Sequence, residues 1–207
     1  MNVILVNGSP KEKGCTYTGL SVVAQALEHQ RIDTQIFQLG QQALAGCKSC
    51  YYCTKNDGCI IDDCVNEFIT MANDADGFIF GSPVHYAAAG GTITSFMDRV
   101  FFASKTDVFR GKPAAAMVSC RRAGSTAALD QLNKYFTISQ MPIVSSRYWN
   151  MVHGSVPQDV LKDAEGIQVM QILGENMAWL LHCIAAGKAA GIALPPTQKP
   201  VRTNYIR

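Results

Sequence analysis

The chain of 207 residues carries 18 basic against 16 acidic side chains, a formal net charge of +2, and 48% of its residues are hydrophobic. That is enough apolar material for one well-filled domain over 1–207, and the charge is too even for a nucleic-acid footprint, since no Lys/Arg run exceeds two. The longest apolar stretch, around Met177 to Ala190, is broken by His182 and Lys188 and falls short of the ~20 residues a membrane span requires, so neither nucleic acid nor membrane is an expected partner.

The run Asn2-Val3-Ile4-Leu5-Val6-Asn7 reads as a first strand, and with no basic, apolar or cleavage region before it a reducing cytoplasm is expected. Gly8-Ser9-Pro10-Lys11-Glu12-Lys13-Gly14-Cys15-Thr16 follows and opens a helical pattern over Thr16–Gln30. Such a strand-loop-helix gathers hydroxyls, backbone N–H groups and the positive end of a helix dipole, which suits an anion. Ser9 and Thr16 can donate, Lys11 or Lys13 can add charge, and Gly8 and Gly14 permit close backbone approach. The pattern matches neither the triphosphate P-loop nor the dinucleotide glycine motif, and a single phosphate fits it better. A plainer reading, in which Ser9 turns the chain and Thr16 caps a helix, stands beside it.

After a second strand at Thr34–Leu39 comes Cys47-Lys48-Ser49-Cys50-Tyr51-Tyr52-Cys53, then Cys59, four thiols within thirteen positions. Two residues between successive cysteines let a tight loop aim its sulfurs inward, and Gly58 allows the turn that brings in Cys59. The spacing is close to that of a cubane 4Fe-4S site, although Ile60 stands where a ferredoxin run has proline. Zinc and metal-free thiols remain open at this point, while a disulfide does not suit a reducing compartment.

The helical pattern Val65–Asn73 leads to a third strand at Gly77–Gly81 and the loop Ser82-Pro83-Val84-His85-Tyr86. Next come a helix over Gly91–Ala103 whose polar face ends in Asp98-Arg99, a fourth strand at Ala114–Val118, and Ser119-Cys120-Arg121-Arg122. A helix over Thr126–Ser139, a fifth strand at Pro142–Ser145, the group Tyr148, Trp149, Asn150 and His153, and a long helix over Asp163–Ala186 complete the pattern. An extended, proline-bearing arm over 194–207 would drape over its own sheet or reach a neighbouring subunit. Mostly unbroken apolar strands alternating with helices indicate an α/β fold, a doubly wound five-stranded parallel sheet in three α/β/α layers. Ligands of such sheets sit beyond the carboxyl ends of the strands, where the loops at Gly8, Ser82 and Ser119 and the cysteine run converge.

With these loops and Asp98-Arg99, the sequence resembles the flavodoxin-fold NADPH-dependent FMN reductase superfamily. The cysteine run is similar to that of its iron-sulfur flavoprotein branch, as an insertion at 47–64 in the single domain. The resemblance implies strand order 2-1-3-4-5 and FMN with its phosphate on Ser9, Lys11, Cys15 and Thr16, with Tyr17 added to the cofactor-binding set. It also implies the isoalloxazine edge on Pro83, Val84, His85 and Tyr86, with Ser82 in the cofactor-binding set, and a 4Fe-4S cluster on Cys47, Cys50, Cys53 and Cys59. Cys15 stands where family loops commonly carry Asn, which shifts phosphate binding toward backbone amides.

Ser119 and Arg121 should approach the same ring, an arginine there serving anionic reduced flavin or the 2'-phosphate of NADPH, with a solvated helix start as the plainer reading. The function expected is an FMN-dependent oxidoreductase, with NAD(P)H as donor and a small-molecule or protein redox partner as acceptor, in a homodimer or homotetramer built in part by the last helix. The alternatives are a cluster-free NAD(P)H-dependent FMN or quinone reductase, and a non-catalytic flavodoxin-like carrier or zinc-stabilised binding protein.

Overall fold

The computed structural model describes residues 1–104 and 106–204, with the side chains of residues 106 and 107 also left aside. In chain order the elements are β1 (Asn2–Asn7), α1 (Cys15–His29), β2 (Asp33–Gln38), a 3-10 turn (Tyr52–Thr54), α2 (Cys64–Asp74), β3 (Gly77–His85), β4 (Ala88–Ala89) and α3 (Gly91–Ala103). They continue with α4 (Thr106–Phe109), β5 (Ala114–Cys120), α5 (Ser125–Ile138), β6 (Met151–His153), α6 (Pro157–Val160) and α7 (Ala164–Ala189).

Five strands run parallel in the order β2-β1-β3-β5-β6, and β4 folds back antiparallel on the end of β3. The flavodoxin-like order expected from the sequence therefore holds for the parallel strands, with the two-residue β4 as a sixth, unforeseen member. Alternation along the strands divides the core. Val3, Leu5, Ile79, Ala115 and Met117 face Leu20, Val23 and Leu27 of α1 and Leu173 and Met177 of α7. Ile4, Val6, Phe78, Phe80 and Val118 face Phe68 of α2, Phe96 of α3 and Phe136 of α5. Both faces are covered, which is why the strands read as continuous apolar runs. On the first face Gly174 lets α7 lie directly on α1, since a Cβ there would stand 2.6 Å from the Ala26 Cβ and 2.8 Å from the Val23 carbonyl.

The last strand departs from expectation. Pro142–Ser145 does not form the fifth parallel strand. It meets only the start of β5, through an isolated bridge between Ala114 and Ile143 and the bond from Val144 N–H to Ala114 O at 2.8 Å. The chain then leaves the sheet and returns at β6, whose residues pair with Val118–Cys120. Asn150 guides the return: its carbonyl accepts from Val118 N–H and its side chain donates to the Ala116 carbonyl, both at 3.0 Å. The excursion leaves Tyr148 and Trp149 stacked edge to face on the surface at 4.8 Å. At the other end of the molecule the arm begins by draping on its own chain, with the Arg110 guanidinium donating to the Pro195 carbonyl. Among the described residues no helix is long and apolar enough to cross a membrane.

Candidate functional site

The loops after β1, β3 and β5, with Gly154 after β6, meet at the carboxyl edge of the sheet around a solvent-open cleft of ≈ 560 Å³. Of the residues singled out from sequence, Ser9, Lys11, Cys15, Thr16, Pro83, Val84, His85, Ser119 and Arg121 line it, joined by Pro10, Cys120 and Gly154.

Three expected residues do not. Ser82 is fully buried and its hydroxyl is spent internally, donating to the Pro83 carbonyl at 2.8 Å and accepting from Gly90 N–H at 3.0 Å. It shapes the β3–β4 turn rather than facing the cleft. Tyr86 sits at the tip of that turn with a positive φ of 50° and a fully exposed ring, and Tyr17 lies on α1 outside the lining.

The first loop is held from beneath by two residues that the sequence reading missed. Asn7, fully buried at the end of β1, accepts from Ser9 N–H at 3.1 Å and donates to the Glu12 carbonyl at 3.1 Å and to Gln38 Oε1 at 2.5 Å. Gln38, at the end of β2, donates in turn to the Ser9 carbonyl at 2.8 Å. Gly8 passes so close to β3 that its N–H donates to the Gly81 carbonyl at 2.9 Å, and a Cβ there would meet the Ile93 Cβ at 2.7 Å.

Beyond the loop, α1 starts with no acidic residue in its first turn and no side-chain cap on its N-cap Gly14. Its first-turn N–H groups and positive dipole end therefore meet the cleft without a side-chain cap or a carboxylate of the helix. Thr16 and Ser119, both buried, share a hydrogen bond of 2.8 Å across the cleft floor. Cys15 is half-buried with its sulfur 3.6 Å from the Gly154 carbonyl, and burial pushes its thiol up from the usual range. Burial does the same to Cys120. His85 and Arg121 are exposed at the mouth. Tyr148, Trp149 and His153 lie together in a separate surface pocket with Asp163 rather than in the cleft.

The cysteine segment lies between β2 and α2 in the chain and packs against the second half of α3. Cys47, Cys50, Cys53 and Cys59 line one cavity with Ile60, Arg99 and Phe102. Left-handed backbone at Ser49, Tyr51 and Gly58, with φ of 50°, 57° and 82°, turns the chain within the run, and Cys47 and Cys50 are exposed while Cys53 and Cys59 are half-buried. Burial, followed among the charges by the neighbouring sulfurs of Cys59, Cys50 and Cys47, pushes the Cys53 thiol up. All eight cysteines are free thiols, and among the described residues no three His, Cys, Asp or Glu side chains come close enough to share a single metal ion.

Arg99 is the clearest correction to the sequence reading. It does not end a polar face: it is 1% exposed and points from α3 into the cysteine segment. Nη1 and Nη2 clamp the Asp63 carboxylate at 2.6 and 2.9 Å, and Nε and Nη2 each approach Cys59 Sγ at 3.4 Å. Burial disfavours its charge, but the bonds to Asp63 and Cys59 outweigh that and hold it cationic. Asp63 also caps α2 by accepting from Val65 N–H, and Asn66 clasps Cys59 at both its N–H and its carbonyl. The signal was readable: Arg99 falls three residues after Phe96 on the stripe Ile93, Phe96, Val100, Ala103 that α3 buries.

With this geometry in place, comparison with known proteins is informative. The family model described as NADPH-dependent FMN reductase matches residues 1–155. An iron-sulfur flavoprotein of Methanocaldococcus jannaschii is 28% identical over 191 residues, which is 89% of this chain and 99% of that protein. An iron-sulfur flavoprotein of Archaeoglobus fulgidus is 29% identical over 190 residues, 87% of this chain and 97% of that one. Among solved structures, RosB superimposes with a TM-score of 0.71 at 10% identity over 100% of this chain and 94% of its own. A WrbA-like flavodoxin from Agrobacterium tumefaciens gives 0.61 at 13% identity over 88% and 97%. At these identities the structural likeness speaks for the fold.

Proposed function

Because the chain belongs to the NADPH-dependent FMN reductase family and is a flavin oxidoreductase, we propose that it couples a two-electron donor, NAD(P)H, to one-electron acceptors through FMN in the cleft and a 4Fe-4S cluster on Cys47, Cys50, Cys53 and Cys59. The observation that carries the reading is that all four thiols line one cavity. The names of the iron-sulfur flavoprotein relatives agree with it.

The residues present fit both groups. A bare helix N-terminus beside the Ser9 and Thr16 hydroxyls, with Lys11 near, suits a phosphate monoester. The carboxyl end of β3, half-buried at Pro83 and Val84, gives the cleft an apolar wall and backbone polar groups for a planar ring. Four soft thiolates, apolar neighbours and N–H donors on one sulfur suit an iron-sulfur centre. A single zinc ion would need its sulfurs at ~2.3 Å, hence crowded together, and the segment would have to contract to supply that.

FMN, when bound, supplies hydride and single-electron chemistry. The chain's own residues do the rest. Ser9, Thr16 and the first-turn N–H groups of α1 hold the phosphate, with Lys11 adding charge. Pro83 and Val84 orient the ring edge by backbone contacts and exclude water from one side of it. Arg121, free at the mouth, offers a guanidinium fork to the 2'-phosphate of NADPH or to the reduced anionic ring. Helix α3 begins under the β3–β4 turn and carries Arg99 eight residues on from Gly91, about 12 Å at 1.5 Å per residue, so one rigid element spans both centres. Self-association through the second half of α7 and the residues just after it, where Trp179 is 68% and Ile192 70% exposed, completes the proposal as a homodimer or homotetramer.

The test is anaerobic mixing with NADPH, following flavin bleaching and then reduction of a one-electron dye. In a variant with all four cysteines changed to Ser, bleaching should persist while dye reduction falls at least tenfold. Equal dye reduction in both proteins would leave a cluster-free FMN reductase.

A further inference from the structure

The cavity of the four thiols has a buried guanidinium in its wall, and it touches one sulfur. Among the described residues Cys59 is the only thiol of the four that receives side-chain donors, Nε and Nη2 of Arg99 at 3.4 Å each. The guanidinium cannot swing away. Asp63 holds both its terminal nitrogens, the Ile61 carbonyl accepts from Nη2 at 3.0 Å, and the side chain is the largest of the fully buried ones. Asp63 is itself fixed as the N-cap of α2, so two helices share the job of aiming these N–H groups at the sulfur.

We propose that Arg99 is a positioning residue that holds fixed N–H donors and a buried charge beside Cys59 and so raises the reduction potential of the cluster. The inference rests on the cluster reading above and concerns its direction of electron flow. One-electron reduction by the flavin adds a negative charge that spreads onto the ligating sulfurs. Fixed N–H donors and a buried cation beside one sulfur stabilise the reduced form more than the oxidised one, which raises the potential. Asp63 offsets part of the guanidinium charge and shares Nη2 with Cys59, so the N–H directed at Cys59 alone is that of Nε. Reduced flavin can then pass its electrons to the cluster downhill, so the arginine biases flow away from the nucleotide.

Anaerobically reconstituted wild-type protein, Arg99→Lys and Arg99→Gln would be compared by iron content and by a redox titration that follows flavin and cluster signals separately. Arg99→Lys keeps charge and bulk but loses the fork, and guards against failure of the neutral variant to fold. All three should hold about four irons per chain. Relative to wild type, the cluster potential should fall in Lys and further in Gln, where the ratio of reduced to oxidised cluster at fixed potential drops at least tenfold, 59 mV for a one-electron couple. The flavin potential should not move. A full complement of iron with unchanged potentials would overturn this inference alone, and so would a flavin shift of equal size or loss of iron from both variants. Wild-type protein that takes up no iron would overturn the cluster reading as well.

Discussion

Asn7 offers the sharpest test of how the phosphate loop is held. It is fully buried, and replacing it by Ala deletes its hydrogen bonds to Ser9 N–H, the Glu12 carbonyl and Gln38 Oε1. A net hydrogen bond contributes about 0.5–1.5 kcal/mol, and the freed loop groups on the exposed side recover water, so Asn7→Ala should cost about 2–3 kcal/mol in urea unfolding. The loss is local to the loop. FMN, whose phosphate the loop would hold, should bind at least tenfold more weakly by flavin fluorescence, while riboflavin, which lacks the phosphate, should bind as before. Asn7→Asp keeps the acceptor for Ser9 but turns an oxygen toward Gln38 Oε1 and the Glu12 carbonyl, so it should be no better than Ala. A stability change under about 0.5 kcal/mol, or equal weakening of FMN and riboflavin, would refute the reasoning.

Gly8→Ala should cost about 1–3 kcal/mol, because its Cβ would press on the Ile93 Cβ at 2.7 Å and the Gly81 carbonyl at 2.8 Å, and an unfolding midpoint equal to wild type would contradict that. Tyr135 is raised by burial and then by its bond to Asp98, so above its usual value of 10.0 the folded chain keeps a proton that the unfolded chain has lost. Stability should therefore fall as pH climbs through that region, and Tyr135→Phe should flatten the alkaline limb in unfolding curves taken at rising pH. Cys120, buried and with its thiol pushed up, should resist iodoacetamide in the native protein, while exposed Cys183 should be labelled before it in peptide mapping. Lys112 donates to the Ala72 and Asn73 carbonyls at 2.8 and 3.0 Å at the end of α2, and Lys112→Met should lose about 1–2 kcal/mol in the same unfolding assay.

Much of this fold was legible because it rests on periodicity. The strands β1, β3 and β5 are buried on both faces and read as apolar runs, and the five long helices fall within a few residues of where spacing puts them. The fifth strand was misplaced because Pro142-Ile143-Val144 has strand composition but only touches the sheet. The true β6 is three residues long and depends on Asn150 bonding across to β5, a tertiary contact that local pattern does not carry. The cleft loops were legible from glycine and hydroxyl placement. Ser82 misled because a serine in a turn can serve the turn itself, as its bonds to Pro83 and Gly90 show. Asn7 and Gln38 went unseen, and Arg99 was placed on the wrong face, for a shared reason: each is a polar side chain whose partners are brought from other elements, 31 residues away for Asn7 to Gln38 and 40 for Arg99 to Cys59.

The central claim is that one chain holds a flavin and an iron-sulfur centre. It is tested most directly by the visible spectrum of anaerobically purified protein, with iron and FMN assays on the same sample. Flavin bands with a broad shoulder near ~400 nm and about four irons per chain are the result the account predicts. Flavin bands without iron, even after anaerobic reconstitution, would contradict it and leave the four thiols to another purpose.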